Sequence, residues 1–158
     1  MDFLELSKER YSVRKFSEKK VEAEKLEKIL EAGRLAPTAK NSQSQRIFVL
    51  QSPAALEKIN AATPMAYKAP VVLMVCYDSN QSYKNPSDTA YTYFPCGQYD
   101  GGEVDAAIVT TAMMFQAAEL GLGSLWARGF DAKKITDAFG LEPNLHLVCL
   151  LEIGRAHV

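Results

Sequence analysis

The chain has 158 residues, 47% of them hydrophobic and 23% charged, with a formal net charge of −1. That length suits one domain over residues 1–158 with a real core, and the composition is that of an ordinary soluble globular protein. The near-neutral balance, without basic or acidic runs, argues against nucleic acid or an anionic membrane as partner, and no stretch approaches the roughly 20 apolar residues of a membrane span.

Residues 1–5 lack the charged-then-apolar layout of a secretory signal, and residues 3–9 read as a short amphipathic segment. The chain then runs Arg10-Tyr11-Ser12-Val13-Arg14-Lys15-Phe16. Two guanidinium forks and a hydroxyl in so short a span suit a phosphate and a neighbouring electron-rich ring, because arginine recognises such groups in a planar, bidentate way. The same residues also read as a solvated charged turn. Residues 22–35 read as a helix, with Leu26, Ile29, Leu30 and Gly33 at 3–4 spacing. Ala36-Pro37 stops it, since proline disfavours helix in the residue before it.

Residues 37–45 form a polar loop. The amides of Asn41 and Gln43 offer both donors and acceptors, as the edge of a heteroaromatic ring requires; a plain polar turn is the alternative. A strand follows at 46–50, and Ser52-Pro53 starts a short helix with serine as cap and proline in the first turn. The unbroken apolar run 71–77 is typical of a strand buried on both faces. Residues 78–102 read as one long loop, and loops of that length are usually functional or disordered. Tyr77, Tyr83, Tyr91, Tyr93, Phe94 and Tyr99 either line a pocket for flat substrates or pack that loop down.

Asp105 reads as the cap of a helix running to about Leu120. No charge falls between Asp105 and Glu119, and a helix apolar all round must be covered all round. A partner subunit is the simplest cover; a central core helix in a monomer is the alternative. Gly121-Leu122-Gly123 ends it. Residues 124–127 are extended, then come Arg128-Gly129-Phe130, where glycine lets the backbone approach something flat. Trp126, the sole tryptophan, belongs to that surface or to plain core. Asp131 caps a short helix closed by Gly140, and 145–153 is the last strand. The class is α+β, helices dominating. Cys76 and Cys149 read as small buried hydrophobes, and Cys96 falls in the long loop. No Cys/His spacing suggests zinc, and neither His146 nor His157 has a nucleophile motif beside it. A reduced, cytoplasmic protein is expected.

Four of these motifs, in order, make the chain similar to the FMN-dependent nitroreductase family over nearly its whole length. Arg10, Ser12, Arg14 and Phe16 match an opening Arg-x-Ser-x-Arg-x-Phe. Ala36, Pro37, Asn41 and Gln43 match Ala-Pro-Ser and Asn-x-Gln-Pro-Trp, with Thr38 for the serine and Ser44-Gln45 for Pro-Trp. Ala69-Pro70 precedes the buried strand. Residues 117–126 match Ala-x-x-Leu-Gly-Leu-Gly-Ser-x-Trp.

The resemblance implies a three-layer fold, a central mostly antiparallel sheet flanked by helices, in an intertwined homodimer with two FMN sites at its interface. It implies that Arg10 and Ser12 bind the FMN phosphate and that Arg14 lies by the pyrimidine edge of the flavin. Pro37, Thr38 and Ala39 would approach the ring from the other subunit, Asn41 and Gln43 would bond the pyrimidine or ribityl, and the Arg128-Gly129 backbone would reach N5. It implies an oxidoreductase that takes a hydride from NADH or NADPH and passes electrons, by ping-pong turnover, to a flat, electron-poor acceptor such as a nitroaromatic or a quinone. The cofactor carries that chemistry, so no acid–base residue is expected. FMN is expected rather than FAD, because no Gly-x-Gly-x-x-Gly follows a strand. Family members usually continue into a basic tail that reaches the phosphate; here Arg155 is the expected substitute, and Lys68 is the nearest match to a lysine some members place by N1. The other readings are a non-catalytic flavin- or nucleotide-binding sensor and an interaction module built on the apolar helix.

Overall fold

The computed structural model describes residues 1–90 and 97–157; Tyr91, Tyr93, Phe94 and Cys96 of the sequence reading lie outside them. In chain order the elements are α1 (Phe3–Glu9), α2 (Ala23–Leu35), β1 (Gln45–Leu50), α3 (Pro53–Ala62), β2 (Val71–Asp78), β3 (Lys84–Asn85), β4 (Tyr99–Asp100), α4 (Gly102–Glu119), β5 (Gly123–Ala127), α5 (Ala132–Phe139) and β6 (Leu145–Gly154). Short 3₁₀ turns lie at Ala39–Asn41 and Pro64–Ala66.

Four strands form one sheet in the order β1-β2-β6-β5, and every neighbouring pair is antiparallel. The expected α+β class with an antiparallel central sheet is therefore what the chain adopts. The inner strands β2 and β6 are covered on both faces, which is why residues 71–77 carry no polar alternation. On one face Leu26, Ile29, Val109, Met113 and Ala117 of α2 and α4 pack on Leu73, Val75 and Leu151. On the other, Ile59 and Ile135 of α3 and α5 pack on Val72, Met74 and Leu150. Two helical layers thus sandwich the sheet.

Helix α4 departs from the sequence reading at its start. It begins at Gly102 with Gly101 as cap, and Asp105 lies inside its first turn rather than capping it. Glycine at 102 has a packing cause: a Cβ there would stand 2.1 Å from the Tyr77 ring. At the other end Gly121 takes φ +73°. Leu122 N–H donates to the Ala117 carbonyl and Gly121 N–H to that of Ala118, both at 2.9 Å, the six-to-one and five-to-two bonds of a glycine stop. Lys25 Nζ donates to the Leu120 carbonyl at 2.9 Å.

The helix is not covered all round within one chain. Ala106, Val109, Met113 and Ala117 are buried, whereas Val104 and Ile108 are 48% and 40% exposed, beside Phe3 at 68%. Positions 104, 108, 111, 112 and 115 repeat at helical spacing along one outward stripe. Residues 78–102 are not wholly loop, since β3 and β4 pair within them. Tyr77 belongs to β2, buried, with its ring stacked on that of His146 at 5.0 Å. Trp126 is 38% exposed on β5 and is not core.

One fully buried carboxyl was absent from the sequence reading. Glu152 sits in β6 between Val72 and Leu125. It is fully buried, and neither carboxyl oxygen has a hydrogen-bond partner among the described residues. Burial pushes its pKa up to about 8. Cys76 and Cys149 are buried thiols, as expected, each pushed up to about 12 by burial.

Candidate active site

Residues 10–17 cross the end of the sheet in extended form, pinned by their apolar members. Val13 and Phe16 are buried, Val13 N–H donates to the Ser124 carbonyl at 3.0 Å, Ser12 bridges Ser124 in parallel and Phe16 bridges Ala156. Burying Val13 and Phe16 leaves Ser12 and Arg14 exposed and Arg10 half-buried. Among the described residues neither Arg10 nor Arg14 has a side-chain hydrogen bond or ion pair. Two unpaired guanidinium groups a few residues apart are ready donors for an anion.

Arg10 opens on a cavity of about 200 Å³ lined also by Glu9, Tyr11, Gly121, Gly123 and Ser124. The Ser124 hydroxyl is buried and has no partner among the described residues. A buried hydroxyl left unbonded costs free energy, so the Gly121–Ser124 turn presents an orphaned donor beside a free arginine. Sequence reasoning passed over Ser124 because its hydroxyl gains meaning only from the bridge to Ser12.

Arg128 and Gly129 follow directly on β5. Phe130 N–H donates to the Arg128 carbonyl at 2.8 Å, a three-residue turn that leaves the exposed Gly129 N–H without a partner among the described residues. The Arg128 guanidinium lies 4.9 Å from the Phe130 ring centroid and lines a cavity of about 550 Å³ with Glu103, Tyr77 and His146. Ser124 and Gly129 stand at opposite ends of β5, on the order of 15 Å apart along the strand direction.

The loop at 37–43 lies elsewhere. Asp105 Oδ1 accepts from the Ala39 N–H at 3.0 Å and Oδ2 from the Ser42 hydroxyl at 3.4 Å. Thr38 Oγ1 accepts from the Gln43 N–H at 3.1 Å, and Gln43 Nε2 donates to Asn41 Oδ1 at 2.8 Å. Asn41 and Gln43 therefore bond each other within the chain, while Pro37, Asn41 and Gln43 remain exposed. The loop enters β1, one edge of the sheet; Arg10, Ser12 and Gly129 stand by β5, the other edge. Three strand spacings, roughly 14 Å, separate the two edges. One chain brings Arg10, Ser12 and Ser124 together and does not bring residues 37–43 to them.

The Arg155 side chain is engaged elsewhere, and Lys68 is held through its backbone. Arg155 donates to the Lys20 carbonyl at 3.2 Å and pairs with Glu22, so its fork ties the end of β6 to the start of α2. Lys68 is left-handed at φ +52°, its N–H bonded to Asn60 Oδ1 at 3.1 Å. Among the described residues no cluster of His, Cys, Asp and Glu fit for a metal occurs, and no helix is long and apolar enough to cross a membrane.

The sequence model of the Nitroreductase family matches residues 7–64 and 60–155. A protein of Methanothermobacter thermautotrophicus, named as a candidate NADH dehydrogenase/NAD(P)H nitroreductase, is 32% identical over 129 residues, 80% of this chain and 60% of that relative's length. Among solved structures, a nitroreductase family protein of Clostridium difficile 630 superimposes with a TM-score of 0.90 at 38% identity, covering 100% of this chain and 86% of its own. An FMN-dependent nitroreductase of Clostridium difficile R20291 does so with a TM-score of 0.76 at 25% identity, covering 99% and 88%.

Proposed function

The chain belongs to the nitroreductase family, and from that premise we propose that it is an FMN-dependent oxidoreductase acting as a homodimer. It moves electrons from NADH or NADPH to a small, flat, electron-poor aromatic acceptor, a nitroaromatic or a quinone, in ping-pong turnover. The observation that carries the reading is the buried, unpartnered Ser124 hydroxyl in the same cavity as the free Arg10. A terminal phosphate supplies both with acceptors. An FMN-dependent relative of the same fold supports the choice of cofactor. Bound at this site, FMN would supply the hydride- and electron-transfer chemistry.

The chain's own residues bind and orient. Arg10, Ser12 and Ser124 hold the phosphate. Arg14 sets a fixed cation by the pyrimidine edge, where reduction leaves negative charge, and so favours the reduced state. The free Gly129 N–H donates at N5. Pro37, Thr38 and Ala39 face the ring of the partner's site, with Asn41 and Gln43 at its polar edge. The homodimer reading draws on two observations. The two halves of the site stand at opposite sheet edges of one chain, and α4 leaves an apolar stripe uncovered.

Mass spectrometry of the released cofactor is expected to give FMN; FAD overturns this assignment. Arg10→Ala is expected to weaken FMN binding by roughly 1.5–3 kcal/mol, the scale of a charge-assisted hydrogen bond. Arg14→Ala is expected to weaken it less, to lower the flavin's reduction potential and to slow reduction by NADH or NADPH. Flavin-binding curves and redox titrations on the two variants check the pair. If Arg14→Ala loses FMN as readily as Arg10→Ala at an unchanged potential, Arg14 belongs with the phosphate.

A further inference from the structure

We infer that Asp105 is a positioning residue, presetting residues 37–43 for the flavin ring; this rests on the FMN reading above. Asp105 is 3% exposed, and beyond its favourable place in the first turn of α4 its carboxylate accepts no hydrogen bond from its own helix among the described residues. It reaches out from the first turn of α4 and takes the Ala39 N–H and the Ser42 hydroxyl, the first residue of the 3₁₀ turn Ala39–Asn41 and the residue that closes it. That turn holds unusual backbone. Lys40, Asn41 and Gln43 have φ of 54°, 53° and 49°, left-handed conformations that side chains with a Cβ disfavour. Such backbone persists where surrounding contacts over-determine it.

The contacts are divided by role. Thr38 Oγ1 to Gln43 N–H and Gln43 Nε2 to Asn41 Oδ1 bind the loop to itself. Arg46 Nη1 reaches the Gln43 carbonyl at 3.2 Å at the far end of the loop. Asp105 ties the near end, the backbone of Ala39, to α4. The Ala39 N–H can only donate and needs one carboxylate oxygen, whereas the Ser42 hydroxyl, which donates to the other, can turn and accept from an amide in its place. Asparagine keeps one acceptor, and leucine fills the volume while keeping none.

The test compares the wild type with Asp105→Asn and Asp105→Leu as full chains. Hydrogen exchange is read at the Ala39 amide without added FMN, with the β2 and β6 amides as a check on the fold. FMN affinity is read by quenching of flavin fluorescence. In Asp105→Leu the Ala39 amide is expected to exchange at least about tenfold faster, with β2 and β6 unchanged. FMN should bind at least about tenfold more weakly, the scale of one charge-assisted bond, while Asp105→Asn stays near the wild type in both. Asp105→Ala carries the same two readouts where leucine is not accommodated. An Ala39 amide as slow in the variants as in the wild type overturns the assignment; so does unchanged FMN affinity beside a freed Ala39. A wild type that takes up no FMN overturns the proposed function and the flavin half of this inference, and the exchange arm then decides alone whether Asp105 sets the loop.

Discussion

Glu152→Leu is expected to stabilise the protein at pH 8 by roughly 3–5 kcal/mol and to flatten its pH profile. The reasoning is linkage. Burial holds the Glu152 carboxyl at a pKa of about 8, against an ordinary value of 4.5. Between those values the folded chain keeps a proton that the unfolded chain has lost. Stability therefore falls as pH rises through that window, by up to about 1.4 kcal/mol per pH unit. Below pH 4.5 both states are protonated and the group adds no slope. With no side-chain partner or counter-charge at either oxygen among the described residues, desolvation of the charged form outweighs the opposing pull of the local backbone. Leucine removes the proton linkage and keeps an apolar side chain among Val72 and Leu125. Urea unfolding of both proteins from pH 5 to 8.5 checks this. Parallel profiles would show that Glu152 has a partner in solution that compensates its charge.

Ala112→Arg is expected to abolish the proposed dimer. Ala112 lies on the outward stripe of α4 between Ile108 and Phe115, and the Phe3 ring rests 5.0 Å from that of Phe115, so α1 extends the same surface. Obligate dimer interfaces are large and core-like, and a guanidinium buried in one without a partner costs several kcal/mol. Light scattering at micromolar concentration is expected to show the wild type at twice the 17.5 kDa chain mass and the variant at one chain mass, with flavin lost in step. A wild type that runs as a stable, folded single chain refutes the dimer, as does a variant that keeps the wild-type assembly.

Much of this architecture is legible in the residues because burial leaves a pattern. Leu26, Ile29 and Gly33 lie on the buried face that their spacing indicates. Residues 71–77 read as a doubly covered strand and are one. Asp105 misleads because an acidic residue ahead of an apolar run is a common helix start, and here glycines take that place while the carboxylate serves a loop 66 residues away. That partnership is tertiary and has no local signature. The left-handed backbone at Lys40, Asn41 and Gln43 is likewise silent, as no glycine marks it. Glu152 did leave a trace, as the single charge in the apolar run 145–153. The arginine motif reads as a candidate anion site from sequence alone, but the unpartnered Ser124 hydroxyl needed the fold to bring its turn beside Arg10.

The separation of the two half-sites across the sheet bears on inheritance as well as chemistry. If each FMN site draws its phosphate grip from one chain and its ring contacts from the other, lesions in the two halves are not equivalent in mixture. A chain damaged at Arg10 and a chain damaged at Asp105, each impaired in FMN binding alone, pair into a mixed dimer. One of its sites then takes an intact grip and an intact loop from different parents, while both lesions fall together in the second. Two defective alleles would thus restore function between them, and a single defective allele co-expressed with the wild type would spoil one site in each mixed dimer and spare the other.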